Sequence, residues 1–239
     1  MSKKKRDKIF IWPSWISKLV AGEDQCEWKI WFKSRFMYDK LPSDFNLARW
    51  NINHTQLSRS RRDALERLGF KVYVEDQNSF KLDAILTEDG HVMLIDDWKE
   101  ESGIKTEFTL SGKADIVAIG EDEDEIIPHK MHIVAVVEDM KTGSCKTSDH
   151  VQVVIYMMFL PKAIEMYKDL KFSGCIVYKL GVPNVDIPIE AAQDESFKQA
   201  IWDAIKRTVG DEAGCRKVPS QKECAWCDIP KDECSARIG

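Results

Sequence analysis

The chain of 239 residues lacks any apolar run long enough to cross a bilayer. That excludes a membrane-spanning helix, and no membrane partner is expected. No secretory leader is expected: the opening MSKKKRDKIFIWPSW has basic residues but no apolar stretch with a cleavage site behind them. The expected location is therefore cytoplasmic, and the opening reads as a short solvated arm. There is no surplus of positive charge, with 35 Lys and Arg against 40 Asp and Glu and a net charge of −5. A general polyanion binder is thus excluded, and any contact with nucleic acid must come from a local patch. There is no internal repeat and no low-complexity linker. Cysteine is odd in number, seven in all, which argues against a disulfide framework in a chain without an export signal.

What is present is enough to build a core, with 44% hydrophobic and 31% charged residues. SWISKLVAGEDQCEWKIWFKSRF reads as two helical pieces, and SRSRRDALERLG as an amphipathic helix ending at Gly69. Short strands follow in FKVYVE, SFKLDAIL, HVMLID and TEFTLSG, with Asp89-Gly90 as a tight turn between two of them. KADIVAIG and MHIVAVVEDMK read as a hairpin whose tip is the acidic EDEDEIIP. TSDHVQVVIYMMFL reads as a helix capped by Ser148 or Asp149 and stopped near Pro161. SGCIVYKLG is a further strand, and DESFKQAIWDAIKRTVG a helix capped near Asp194. The order is that of an α/β fold.

The chemistry concentrates where HIVAVV runs into EDMK. Side chains alternate along a strand, so Ala135, Val137, Asp139 and Lys141 share one face while Val136, Glu138 and Met140 share the other. A hairpin centred near Glu125 to Pro128 brings Asp115 opposite Asp139, with side chains roughly 5 Å apart. Two carboxylates that close repel unless they share a proton or a cation. A hard divalent ion, Mg²⁺ or Mn²⁺, resolves the conflict, with the Met140 backbone carbonyl as a further ligand. Lys141 on the same face suits charge stabilisation in phosphodiester hydrolysis. The competing reading is a plain salt bridge between Asp139 and Lys141 at a strand end. Gln152 and Tyr156 sit four apart on one helical face just beyond; they read as a DNA contact, with Tyr156 stacking on a strand, or as ordinary helix positions.

Cys224, Cys227 and Cys234 have the spacing of thiolate ligands. The fourth ligand is open: Cys215 would make a local zinc knuckle, and Cys26 would staple the two ends of the chain.

SGKADIVAIG, VVEDMKTG, HVQVVIY and CAWCDIPKDEC, in this order, resemble the CRISPR-associated RecB-like iron–sulfur exonucleases of the PD-(D/E)XK nuclease superfamily. The AddB nuclease domain and eukaryotic replication nuclease-helicases share the cysteine arrangement. The resemblance runs from the Cys26 region to Cys234. It implies a restriction-endonuclease-like α/β core, a central mixed sheet flanked by helices, with an iron–sulfur cluster joining the N- and C-terminal segments. The implied organisation is one nuclease domain over 1–239, comprising a helical part (1–50), a core (51–210) and a cysteine-rich segment (211–239).

The resemblance further implies Asp115 and Asp139 as metal ligands, with both and Lys141 catalytic. Gln152 and Tyr156 become the Gln-x-x-x-Tyr motif that positions DNA. Cys26, Cys224, Cys227 and Cys234 hold a [4Fe–4S] cluster, leaving Cys215 free. A histidine on an early helix completes the metal site, and by order it is His54. The chain departs from the family in having Asp139 where Glu is usual, with Glu138 as the alternative if the strand bulges. It also has no glycine before His54 and one extra residue in the last cysteine gap. The implied activity is a metal-dependent exonuclease on single-stranded DNA or DNA ends in CRISPR spacer acquisition, alongside an integrase complex. The alternatives are a nuclease of phage recombination or DNA repair, or a catalytically weak DNA-end-binding subunit. Oligomeric state stays open.

Overall fold

The computed structural model describes residues 3–43, 45–95, 104–123, 131–179 and 181–238. The elements are β1 (Lys4–Lys5), β2 (Ile9–Ile11), α1 (Pro13–Val20), α2 (Glu27–Arg35), β3 (Phe36–Met37), α3 (Leu47–Arg67), β4 (Lys71–Val74), β5 (Ser79–Thr87), β6 (Val92–Leu94), β7 (Ile104–Lys113), β8 (Ile116–Glu123), β9 (Met131–Lys141), α4 (Thr147–Ala163), β10 (Phe172–Tyr178), β11 (Val185–Ile187), α5 (Glu195–Val209) and α6 (Gln221–Ala225). This is an α/β fold with mixed sheets and helices. Among the described residues no helix is long and apolar enough to cross a membrane. The acidic hairpin tip beyond Glu123 and the end of HVMLID lie outside the described residues.

The chain divides into two compact units, each assembled from separated segments. The first comprises 1–45, 81–111 and 199–239, and the second 46–80 and 112–198. The expected N-terminal and cysteine-rich parts therefore belong together in the first unit.

In the second unit the sheet order is β11-β10-β9-β8-β4. β9 pairs antiparallel with β8 and parallel with β10. Parallel neighbours need a crossover, and α4 supplies it. A helix packs on each face of the sheet, which is why β9 reads as an almost unbroken apolar run. Leu65 of α3 packs with Ile116, Ala118, Met140, Cys175 and Val177 on one face. On the other, Gly174 lies under α4, where any Cβ would collide with Val153 Cγ1 and Met157 Sδ. Glycine here lets helix and sheet close up.

α3 begins at Leu47, eleven residues before the Ser58 expected from the sequence. Asn46 caps it, its side chain accepting the Arg49 N–H at 2.9 Å. Only Ser58 and Leu65 of its 21 residues are buried, so the first half carries almost no apolar pattern to read. α4 starts at Thr147 rather than at a Ser148 or Asp149 cap; Asp149 sits in its first turn and accepts the Lys146 N–H at 3.2 Å.

In the first unit β1 pairs with β3, and a second sheet has the order β2-β7-β5-β6. The expected Asp89-Gly90 turn joins β5 to β6, with Gly90 at φ +86. The opening segment is not a solvated arm: it forms β1 and β2, and the Arg6 N–H donates to the Arg35 carbonyl at 2.7 Å. Trp28, Phe32, Cys215 and Ile229 form a core cluster here. Arg35 closes the end of α5, donating to the carbonyls of Thr208, Val209 and Gly210 at 2.9, 2.6 and 2.9 Å. Those carbonyls have no partner within their own helix.

Candidate active site and cysteine pocket

The β8–β9 register pairs Ile116 with Glu138. One step further along the same register sets Asp115 against Asp139, as the hairpin reading expected. The Asp115 carboxylate turns to the strand end, where Oδ2 accepts the Met140 N–H at 2.7 Å. In an extended strand the N–H and C=O of one residue leave on the same side. Lys141 accepts from Lys179 on the β10 side, so the Met140 carbonyl lies towards Asp115. The Asp115 backbone is itself fixed, its carbonyl accepting the Glu75 N–H at 3.0 Å. Glu75 adopts the left-handed region, φ +46, which is costly for a residue with a side chain and is found at constrained sites.

His54 comes from α3, and its Nε2 lies 3.2 Å from Asp115 Oδ2. Trp50, one turn earlier, stacks on the imidazole with ring centroids 4.8 Å apart. The hydrogen bond to Asp115 is the main reason the His54 pKa is raised; burial opposes it, and the charges of Asp115, Asp139 and Glu75 add to the rise.

Asp139 is buried. Lys141 Nζ lies 2.6 Å from its Oδ2, the ion pair that the competing reading expected. Burial pushes the Asp139 pKa up to about 6; Lys141 opposes the rise and Asp115 adds to it. For Lys141, burial works against the charged form, but Asp139 outweighs it and the net shift is upward. Gln152 of α4 links the parts. Its Oε1 accepts from Lys141 Nζ at 3.2 Å, and its Nε2 donates to Asp139 Oδ1 at 3.3 Å and to the Tyr156 hydroxyl at 2.9 Å. Tyr156 is buried edge-on against Phe80. The expected stacking of its ring on a DNA strand is therefore corrected: the ring is covered, and the hydroxyl orients Gln152.

The bulge that the Glu138 alternative requires is absent. The β9–β10 register runs without a bulge from Phe172↔Ala135 to Tyr178↔Lys141, so Glu138 stays on the α3 face. There it is fully buried, and Arg61 grips both its oxygens, with Nε at 3.1 and 2.8 Å and Nη2 at 2.6 Å. Sequence reasoning missed Arg61, Glu75 and Asp149. Asp149 Oδ1 lies 3.6 Å from Lys141 Nζ, and its Oδ2 accepts from the Tyr178 hydroxyl at 3.2 Å. Its only sequence signal was as a capping residue.

Two carboxylates, an imidazole and a strand-end carbonyl are a donor set for a hard divalent cation, which would also relieve the repulsion between buried Asp139 and Asp115. Among the described residues no group of three or more His, Cys, Asp or Glu is arranged to hold a metal ion as it stands. His54 and Lys141 occupy the carboxylates instead, and both contacts would have to loosen to admit one.

In the first unit Cys26, Cys224, Cys227 and Cys234 line one small pocket. All seven cysteines are free thiols. Cys215 is not in that lining; its thiol donates to the Arg207 carbonyl at 3.0 Å, and burial pushes its pKa up to about 11. Two other contacts shape the pocket. Glu223 accepts the Gln25 and Cys26 N–H groups at 2.9 and 3.4 Å, and the Ile238 N–H points at Cys224 Sγ at 3.5 Å. Lys29, Lys217 and Arg237 also line the pocket, Lys29 being paired with Asp24 at 2.6 Å and Glu223 at 3.7 Å. Four thiols, the ligand type of a thiolate-held group, line one space, but as they stand they are not gathered closely enough to hold a metal ion.

No family model matches the chain, and no curated protein matches its sequence. Among solved structures, one described as "Crystal structure of SSO0001" superposes with a TM-score of 0.47 and 15% identity, covering 99% of this chain and 90% of that chain. A likeness at that level is too loose to bear on chemistry.

Proposed function

We propose that the protein is a metal-dependent DNA nuclease of the PD-(D/E)XK type. The observation that carries the reading is the buried Asp139 carboxylate, set against Asp115 on one side and Lys141 on the other. His54, Asp115, Asp139 and the Met140 carbonyl would hold Mg²⁺ or Mn²⁺. When bound, the ion supplies the positive charge that polarises a phosphodiester and acidifies water. Lys141 is held by Asp139 and Asp149, and stays protonated to stabilise charge on the phosphate. Gln152, oriented by Tyr156, fixes Lys141 and Asp139 relative to each other. Cys26, Cys224, Cys227 and Cys234 would hold a [4Fe–4S] cluster, whose part is to tie the two ends of the chain together. Single strands or ends in CRISPR spacer acquisition are the setting that the sequence resemblance implies.

The test is cleavage of end-labelled single-stranded DNA with Mg²⁺ or Mn²⁺ by anaerobically purified protein. Asp139→Ala is expected to abolish cleavage. Cleavage at the unsubstituted rate removes the assignment.

A further inference from the structure

The opening segment builds a basic surface that the nuclease site does not use. Lys3 and Lys8 are paired with Glu233 and Asp83 at 3.0 and 3.6 Å. Lys4 and Lys5 differ: both are exposed, and among the described residues no carboxylate pairs with either. They are not on a loose tail. Their strand is held to β3 in the register Lys4↔Met37 and Lys5↔Phe36, and Arg6 just after it is tied by Nε to the Lys33 carbonyl at 3.3 Å.

Two hollows flank this strand, with about 960 and 750 Å³ of open space. Lys5, Arg6 and Lys8 line both. Lys4 lines only the smaller hollow. In that hollow Lys4, Lys5 and Arg6, with Lys8 already paired to Asp83, stand against one acid, Asp7, over an apolar floor of Phe10 and Met37. Glu107 enters only the larger one, where Arg35 adds a further cation. In a chain of net charge −5, unpaired lysines fixed on a strand mark an anion partner.

We propose that these hollows hold the phosphodiester backbone of a single nucleic-acid strand, with the Phe10 and Met37 floor under its bases. The proposal rests on the nuclease reading and adds a second contact for its substrate. The adjacent Lys4 and Lys5 of β1 suit neighbouring phosphates, and an apolar floor suits unpaired bases rather than a closed duplex. An anionic lipid surface presses on a flat or protruding face, whereas these lysines rim concavities.

The test uses the full chain, prepared anaerobically, with a fluorescent oligothymidylate and no divalent metal, so that binding is read without cutting. Affinity is measured across a salt series for the unsubstituted protein, Lys4→Gln/Lys5→Gln and Lys4→Arg/Lys5→Arg. Losing two phosphate contacts lowers the salt slope by about 1.4 for a single strand. From about 50 to about 200 mM salt, the unsubstituted protein should therefore lose about 7-fold more affinity than the Gln variant. The Arg variant should follow the unsubstituted protein, and unchanged melting would show the Gln variant folded. Equal slopes for the unsubstituted protein and the Gln variant overturn the proposal. So does a Gln variant that loses binding to phosphatidylserine vesicles while holding the oligonucleotide as before. Because cleavage is not the readout, a protein that binds with the predicted slopes and never cuts defeats the nuclease reading alone.

Discussion

At the scale of single residues, Asp139 is where burial and charge conflict most sharply. Its pKa rises from an ordinary 3.8 to about 6, first through burial and then through Asp115, with Lys141 opposing. A raised carboxyl pKa means that the folded protein holds the proton more tightly than the unfolded chain. The stability it contributes is present at low pH and is lost as pH rises between 3.8 and about 6. His54 acts in the same direction, because its pKa is also raised; its contribution is lost as pH rises through the raised value. The metal-free protein is therefore expected to melt at lower temperature as pH climbs through this window, and Asp139→Asn should flatten the decline. Mn²⁺ should reverse it, with the metal-induced rise in Tm growing above about pH 6, where the carboxylate no longer competes with a proton. Melting curves with and without Mn²⁺ across the range check both statements.

At the scale of elements, β9 divides its work by face, and the sequence made this legible. Its bounds follow from the apolar run, and strict alternation separates Asp139 from Glu138. The facing of Asp115 and Asp139 followed from counting back around the hairpin. The first half of α3 was not legible, because a helix with two buried positions in 21 leaves no apolar period. The Arg61–Glu138 pair was also invisible, since the residues are 77 apart and nothing local links them. Tyr156 was misread because spacing places a side chain on a face without saying whether that face is covered. The Arg61 fork joins α3, which carries His54, to β9, which carries Asp139. Breaking such a pair from one side leaves a buried charge without compensation, at a cost of about 3–5 kcal/mol. Urea denaturation of Arg61→Met should show a loss of that order. The double variant Arg61→Met/Glu138→Leu should recover much of it. Equal losses in single and double variants would argue against a buried charge as the cause.

At the scale of the whole molecule, two distant parts of the chain meet in the first unit, and four cysteines from them line one pocket. A thiolate-held group there would close a loop of nearly the full chain. Cys26→Ala should lose iron, sulfide and brown colour in an anaerobic preparation, and Cys215→Ala should keep them, because the Cys215 thiol is committed to the Arg207 carbonyl. Metal analysis with visible absorption decides, and a colourless protein holding one zinc with Cys26→Ala unaffected would defeat the cluster. The central claim is that Lys141 serves the reaction and the carboxylates hold the ion. It is tested most directly by measuring Mn²⁺ binding and single-stranded DNA cleavage on one preparation of Lys141→Ala. The account predicts that Mn²⁺ still binds and cleavage is lost; cleavage at the unsubstituted rate would contradict it.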